Sequence, residues 1–411
     1  MEHTQDIENL NTLLSPLGLK VNGVVKGSQS IRYVINLPID LEIHKKIKRS
    51  ESALKSAIPT AIGTTEYKYE RDDKSILIEK KSDEFKIVKF ETLIPGLPKK
   101  GLYLLLGTDD SGNPTYTNLR KAPHILVAGT TGSGKSELLH TFLASLVYRR
   151  KDNPCEIILI DPKRSEFSMY ENKNGVYLIT EMSEAVDILK DCCDKMDERY
   201  RLIQSHHCKD IAQLNDPSIL PIVVFIDELK DLLMQDKRAE YYIVRLAQKA
   251  RACGIHLILG TQTPRADVIT GGIRANVPTK IAMHTVSPLE SRIIIDVNGA
   301  EKLFGNGDML YLGNGKLSLI RMQAAYVCNE TKEAIANSIP YAQHTYTATH
   351  TEDEAWERAV AWSKEYEKDH PAPKAPEAPQ KPKRVGLIRG IVNLMKVKPI
   401  MFRTDDYPPR I

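Results

Sequence analysis

The octapeptide Gly129-Thr130-Thr131-Gly132-Ser133-Gly134-Lys135-Ser136 decides the fold of this chain. It fits G-x-x-x-x-G-K-[ST], the pattern of a phosphate-binding P-loop. The apolar run 124–128 before it predicts a buried strand, and the residues from Glu137 onward predict a helix. A P-loop needs this strand before it and this helix after it, so the context supports the motif. Backbone N–H groups and the positive end of the helix dipole would then face the phosphates of a nucleotide.

All eight residues of the motif are expected to contact the nucleotide, which implies ATP and Mg²⁺ as cofactors. Lys135 would reach the β- and γ-phosphates, and Ser136 would ligate Mg²⁺.

A second acidic element follows a later apolar strand. Asp227-Glu228 comes directly after the run 222–226. A carboxylate at this strand end orients Mg²⁺, which is the role expected for Asp227. The neighbouring Glu228 would accept a proton from the attacking water.

Polar and cationic residues around the next strand complete the catalytic set. Gln262 ends the strand that follows, where its side chain would touch the γ-phosphate or the water. Phosphoryl transfer also gains from an added cation. Arg245 and Arg251 are both expected on the helix after the Asp227 strand, and spacing alone does not choose between them.

Composition limits the possible classes of protein. The 411 residues are 42% apolar, and 57 basic against 53 acidic residues give a net charge of only +4. A nucleic-acid partner would therefore be bound by a local patch. No apolar stretch approaches the ~18–20 residues of a membrane span, and residues 1–11 do not form a signal peptide. The six cysteines form no C-x-x-C pair, so reduced thiols and a cytoplasmic location are expected.

Patterning predicts four regions. Residues 1–100 form a small α+β domain, including a helix that begins at Asp40 and runs through Lys55. Residues 101–330 alternate β-branched runs with amphipathic helices, which predicts an α/β P-loop core with a mostly parallel sheet. Residues 331–370 hold a helix opened by the capping box 351–354. Residues 371–411 are a proline-rich linker and a basic tail, whose short amphipathic segment could dock on a partner.

From Gly23 to about Val327 the chain resembles the FtsK/SpoIIIE family of double-stranded DNA translocases. Four stretches carry this resemblance: 122–136, 160–163, 247–262 and 299–312. It implies a RecA-like ATPase motor, a smaller preceding domain and a hexameric ring around duplex DNA. It also implies that Arg251 is the finger that reaches the ATP of a neighbouring subunit.

The same resemblance gives candidates for DNA contact. Only the central channel of a ring has to be basic, and contacts there with the DNA backbone are independent of sequence. Arg265, Arg274 and Lys280 follow the strand that ends at Gln262 and are the expected channel residues. Thr263 stands where the family usually has Arg, so a channel or interface contact is expected to have moved.

Three functions are compatible with these features. The chain lacks the membrane segments of cell-division translocases and a winged-helix domain, which favours a compact translocase of a mobile element, phage or plasmid over a role in chromosome segregation. A non-translocating module that recruits DNA by ATP-driven assembly is the second function. It would have no need of Glu228 as a base. A P-loop enzyme acting on a small substrate is disfavoured, because no second substrate motif is present.

Overall fold

The computed structural model describes residues 2–27, 30–65, 67–82, 87–315 and 318–342. The helix predicted from the capping box 351–354 and the tail 371–411, with its partner site, lie outside the described residues.

The first part of the chain forms an antiparallel sheet of four strands, in the order β1-β2-β4-β3. Helices α1 and α2 pack together on this sheet and bury residues such as Leu10, Tyr33 and Ile58. The elements are α1 Glu2–Leu14, β1 Gly23–Lys26, β2 Ser30–Asn36, α2 Leu41–Ile62, β3 Tyr67–Arg71 and β4 Ser75–Lys81.

Helix α2 begins where the sequence predicts and ends later. The side chain of Asp40 caps it and accepts a hydrogen bond from the backbone N–H of Glu42 at 2.8 Å. The prediction that the helix ends at Lys55 is wrong, since it continues through Pro59 to Ile62. Proline has no N–H for the carbonyl four residues earlier. That carbonyl, on Lys55, accepts the Tyr67 hydroxyl at 2.6 Å instead, which makes the proline tolerable.

The remaining described strands form a sheet of ten, in the order β6-β5-β14-β13-β12-β7-β11-β10-β8-β9. The strands are β5 Tyr103–Asp109, β6 Pro114–Asn118, β7 His124–Ala128, β8 Glu156–Ile160, β9 Val176–Ile179, β10 Ile222–Ile226, β11 Ile255–Thr261, β12 Thr279–Met283, β13 Asp308–Leu312 and β14 Ile320–Ala324. The six strands from β12 to β9 pair in parallel, and β13, β14, β5 and β6 add an antiparallel edge. The predicted parallel sheet is therefore confirmed around the P-loop, and the antiparallel edge extends it.

Helices cover both faces of this sheet, as its apolar strands require. Leu126 and Ala128 of β7 face a core shared with α5 and α7, whereas Ile125 and Val127 face one shared with α4. The helices are α3 Phe90–Leu93, α4 Lys135–Tyr148, α5 Met182–Ser205, α6 Leu229–Gln235, α7 Arg238–Lys249, α8 Gly271–Asn276, α9 Pro288–Ile295 and α10 Asn329–Ser338. Within the described ranges, no helix combines the length and apolar character needed to cross a bilayer.

A buried ionic network joins the two sheets. The guanidinium of Arg321 on β14 binds Asp308 on β13 at 2.7 Å and Glu79 on β4 at 2.5 Å. Glu79 also accepts a hydrogen bond from Arg32 at 3.0 Å. These carboxylates hold the pKa of Arg321 above its usual value although burial opposes this. Both sheets thus contribute to one paired cluster, in which loss of a single partner would leave a buried charge.

Candidate nucleotide site

The carboxyl ends of four parallel strands meet at one edge of the large sheet. The P-loop follows β7, Asp161 follows β8, Asp227 follows β10 and Gln262 follows β11. Ligands of open α/β sheets bind at this edge. A pocket of about 490 Å³ opens here and is lined by the P-loop, Glu166 and Gln262, which is large enough for a small-molecule ligand.

The P-loop backbone has the conformation that its glycines were expected to allow. Gly132 and Gly134 have φ angles of +79° and +100°, where side chains are strained. A Cβ on Gly134 would lie 2.6 Å from the backbone nitrogen of Gly307. That nitrogen donates a hydrogen bond to the carbonyl of Ser133 at 2.8 Å. A second loop thus braces the P-loop, and the closely packed backbone fits a phosphate cradle at the start of α4.

Lys135 and Asp227 form a buried ion pair in the floor of the site. The Lys135 ammonium lies 2.5 Å from Asp227 Oδ1 and 2.8 Å from the Asp227 carbonyl oxygen, and the two residues are 3% and 4% exposed. Burial raises the pKa of Asp227, and the Lys135 charge opposes this shift. The pair places a cation and a carboxylate together beside the P-loop.

Glu228 and Gln262 are tied together and to the P-loop. Glu228 is 5% exposed, and its carboxylate accepts hydrogen bonds from the Thr261 hydroxyl at 2.6 Å and from the Gln262 backbone N–H at 2.8 Å. The Gln262 side-chain oxygen accepts the Thr131 hydroxyl at 2.7 Å. A single chain of hydrogen bonds therefore connects the expected base, the expected sensor and the loop that would hold phosphate.

Sequence reasoning missed Glu166, which lies directly beside Ser136. The Ser136 hydroxyl donates to Glu166 Oε1 at 2.8 Å. The carboxylate of Asp161, which is fully buried, accepts the Glu166 backbone N–H at 2.9 Å and so fixes this turn. His140, 3.6 Å from the other carboxylate oxygen, and then Ser136 hold the pKa of Glu166 below its usual value. The sequence contained one signal for Glu166: it is a carboxylate five residues after Asp161, which follows a strand that ends at this edge of the sheet.

The oxygen donors of the site fit a magnesium ion. The hydroxyl of Ser136 and the carboxylates of Asp227 and Glu166 are hard oxygen ligands. Mg²⁺ is usually bound by one or two protein groups together with substrate phosphates, and these donors stand next to the P-loop that would hold the phosphates.

The two candidate finger arginines have different surroundings. Arg245, on α7, is half-buried and its guanidinium binds Asp197 at 2.6 Å. Arg251 is exposed, and its Nε donates to the carbonyl of Arg120 at 3.2 Å. Arg251 lies in the turn after α7 and not on that helix, which corrects the sequence expectation. Its turn precedes β11 and therefore lies at the amino ends of the parallel strands, whereas the P-loop lies at their carboxyl ends.

The three candidate DNA-binding residues do not share one exposed face. The Arg265 side chain is 67% exposed. Its one ion pair within the described residues is with the equally exposed Asp267, at 3.3 Å. Lys280 is 6% exposed, and its ammonium binds Asp296 at 2.8 Å. Arg274 on α8 approaches the same carboxylate at 3.7 Å. Arg265 is therefore the one of the three with the most accessible guanidinium or ammonium group.

Sequence comparisons agree with this geometry. The FtsK/SpoIIIE family model matches residues 98–219 and 215–266. The DNA translocase SftA of Bacillus subtilis is 43% identical over 252 residues, which are 59% of this chain and 26% of that protein. The DNA translocase FtsK of Haemophilus influenzae is 41% identical over 272 residues, 58% of this chain and 51% of that protein. The chain thus spans about half or less of the length of these relatives.

Solved structures show the same fold. The pCW3 conjugation coupling protein TcpA, in monomer form with ATPγS, superposes with a TM-score of 0.60 at 24% identity, over 81% of this chain and 98% of that one. The cytoplasmic domain of the type VII secretion ATPase EccC of Thermomonospora curvata gives a TM-score of 0.52 at 22% identity, over 64% of this chain and 34% of that one. Both likenesses support a P-loop ATPase fold. Residues 98–266, which hold the P-loop, Asp227 and Gln262, match the FtsK/SpoIIIE family model, and the chain is similar to members of that family through this nucleotide-binding core.

Proposed function

We propose that this protein is an ATP-driven translocase of double-stranded DNA. The observation that carries the proposal is Glu228, a buried carboxylate next to Asp227 in the chain that the Thr261 hydroxyl and the Gln262 backbone N–H hold in place. A module that only bound nucleotide would have no use for a positioned general base at this point. The names of the relatives, which are DNA translocases, support the same function.

The residues of the site divide the work of hydrolysis. The P-loop from Gly129 to Ser136 would bind the nucleotide phosphates, with Lys135 at the β- and γ-phosphates. Mg²⁺ would supply charge neutralisation at these phosphates, held by Ser136 and Asp227. Glu228 would orient the attacking water and take its proton. Gln262, bonded to both Thr131 and Glu228, would report the state of the γ-phosphate.

We infer a homo-oligomer, with a hexameric ring as the expected form, from the position of Arg251. β11 has seven residues, Ile255–Thr261, between Arg251 and Gln262. At ~3.3 Å per residue this places Arg251 roughly 20 Å from the site edge of its own subunit. The guanidinium would therefore act on the nucleotide of a neighbour, where a finger raises the rate by roughly 10³–10⁵.

A mixing experiment tests this arrangement. Arg251→Ala and Lys135→Ala proteins should each be inactive alone. In mixed rings, some interfaces pair an intact Lys135 with an intact Arg251, so ATPase activity should partly recover. Arg245→Ala is the matched control, because its guanidinium is occupied by Asp197 of the same chain. No recovery in rings proven to be mixed would contradict a finger that acts between subunits.

The channel contacts and the biological role are further parts of the proposal. Arg265 is the leading candidate for phosphate contact, whereas the pairing of Lys280 with Asp296 weighs against a direct contact there. Residues 1–100 and 101–330 are proposed as the small domain and the motor, working in the cytoplasm. The role in a mobile element, phage or plasmid stays a proposal, as do the alternative in chromosome segregation and the tail partner.

The proposal is tested by ATP hydrolysis with and without linear duplex DNA. Wild type should hydrolyse ATP faster with DNA, Lys135→Ala should lose nucleotide binding, and Glu228→Gln should bind ATP but turn it over slowly. Glu42→Gln is a suitable control, because Glu42 is an exposed carboxylate on α2 that pairs with the exposed Lys45 of the same helix. ATP binding without hydrolysis under any DNA condition would favour the recruitment module.

A further inference from the structure

The pocket at the P-loop extends beyond the phosphate cradle onto an apolar wall. Besides the P-loop, its lining includes Ile87, Val88 and the segment Ala324–Tyr326. We call Ile87, Val88 and Tyr326 the apolar wall. The segment of Ile87 and Val88 joins the two sheets, and Tyr326 follows β14. None of the three belongs to the P-loop or to the Asp227–Glu228 element, so the proposed hydrolysis does not use them.

Backbone hydrogen bonds fix the wall in place. The Tyr326 N–H donates to the carbonyl of Val88 at 2.8 Å, and the Phe90 N–H donates to the carbonyl of Tyr326 at 2.9 Å. The hydroxyl of Thr141, on the helix that begins at the P-loop, donates to the carbonyl of Ala325 at 2.8 Å. The wall is therefore anchored to the same helix that carries Lys135 and Ser136, which keeps its position relative to the cradle.

The wall is exposed although its side chains are apolar. Ile87 is 52% exposed and Tyr326 is 37% exposed, while Phe90, whose backbone pairs with that of Tyr326, is 2% exposed. Apolar side chains of these two segments can therefore be buried, yet Ile87 and Tyr326 line the pocket. Large apolar groups grouped at the mouth of a pocket are typical of ligand contact.

We propose that the apolar wall holds the purine ring of the bound nucleotide, with Tyr326 as its aromatic contact. This inference rests on the proposed function, because it takes the phosphates to lie in the P-loop. Both subsites line one pocket of about 490 Å³, so a ligand with an anionic end and a flat aromatic end matches it. An aromatic ring packed on tyrosine gains more than its buried area alone provides. Tyr326 is thus a binding residue for the base and has no part in the chemical step.

Binding measurements with two anions separate the base from the phosphates. Calorimetry compares ATP with inorganic tripolyphosphate, which has the phosphates without base or sugar. Tyr326→Ala should weaken ATP binding by about five- to tenfold, because roughly 1 kcal/mol of ring contact is lost. Its affinity for tripolyphosphate should not change. Tyr326→Phe should bind ATP like wild type, and Ile87→Ala should show a smaller loss than Tyr326→Ala.

The control is Tyr148→Ala, which removes an exposed tyrosine at the far end of α4. It should leave both affinities unchanged. Equal affinity of wild type and Tyr326→Ala for ATP would overturn the proposal, as would an equal loss for ATP and tripolyphosphate, since the side chain would then act on the P-loop itself. If wild type bound neither anion, the proposed function would fail. If it bound both and only the Tyr326 variants behaved unexpectedly, the base subsite alone would be wrong.

Discussion

Two buried histidines should make the stability of this protein depend steeply on pH. His124 begins β7 and His256 lies in β11, the neighbouring strand, and they are 1% and 4% exposed. The backbone N–H of Leu257 donates to His124 Nδ1 at 3.2 Å, so this nitrogen carries no proton. His256 Nδ1 lies 3.2 Å from the carbonyl of Pro123, which can only accept, so His256 donates there. His124 is therefore held in the neutral form by its hydrogen bond, and burial disfavours a charge on His256.

The size of the effect follows from the shift in affinity for protons. Burial, with the neighbouring His256 as the next cause, lowers the pKa of His124 from 6.5 to about 3, and burial lowers that of His256 from 6.5 to about 4. Below pH 6.5 the unfolded chain takes up two protons that the folded chain refuses, so stability falls as pH falls. At roughly 1.4 kcal/mol per pH unit for each histidine, lowering the pH from 6.5 to 5 costs about 2 kcal/mol per ring, or about 4 kcal/mol for both.

Urea denaturation at constant ionic strength measures this loss. In the double variant His124→Asn with His256→Asn, neither side chain titrates. The amide at 124 can still accept the hydrogen bond from the Leu257 N–H, and the amide at 256 can still donate to the Pro123 carbonyl. The double variant should lose about 4 kcal/mol less stability than wild type between pH 7.5 and 5. Thr279→Val, a change on the adjacent strand β12 that involves no titrating group, should shift the free energy of unfolding equally at both pH values. The same drop with pH in wild type and double variant would refute the reasoning.

Three further outcomes are expected. Gly134→Ala should abolish ATP binding in calorimetry, because φ is +100° and the added Cβ would meet a backbone nitrogen at 2.6 Å; retained affinity would contradict the braced cradle. Arg321→Met should lower the free energy of unfolding by about 3–5 kcal/mol in urea denaturation, because Asp308 and Glu79 would be left buried without their shared partner; a neutral effect would show that these carboxylates find other compensation. Arg265→Ala should weaken binding to all duplex sequences equally and reduce the slope of log affinity against log salt by about one, and an unchanged slope would move the channel elsewhere.

The nucleotide site was predictable because its signals are local. The strand before the P-loop, the helix after it and the strand ending in Asp227 are continuous in sequence, and the structure has them as β7, α4 and β10. The Asp40 cap is equally local, since it depends on residues two and three positions away. Periodicity and motif spacing suffice for features of this kind.

What was missed depends on contacts between distant positions. Glu166 is 30 residues from Ser136, and only the parallel order of β7 and β8 within the sheet brings them together. When the sequence is considered alone, Lys280 is expected to be an exposed cation. In the structure its ammonium binds Asp296, which lies sixteen residues later at the end of α9. Helix α2 continues past Pro59 because Tyr67, twelve residues beyond Lys55, donates its hydroxyl to the Lys55 carbonyl. Each of these pairings depends on tertiary topology, which residue patterns do not encode directly.

The central claim is that hydrolysis at Glu228 moves the protein along duplex DNA. The most direct measurement uses linear duplex that carries a bound third strand, and follows the release of that strand after ATP is added. Wild type should displace the third strand with ATP, while Glu228→Gln should bind ATP and DNA and leave the third strand in place. DNA-stimulated hydrolysis by wild type without any displacement would contradict the claim and identify a module that holds DNA without moving along it.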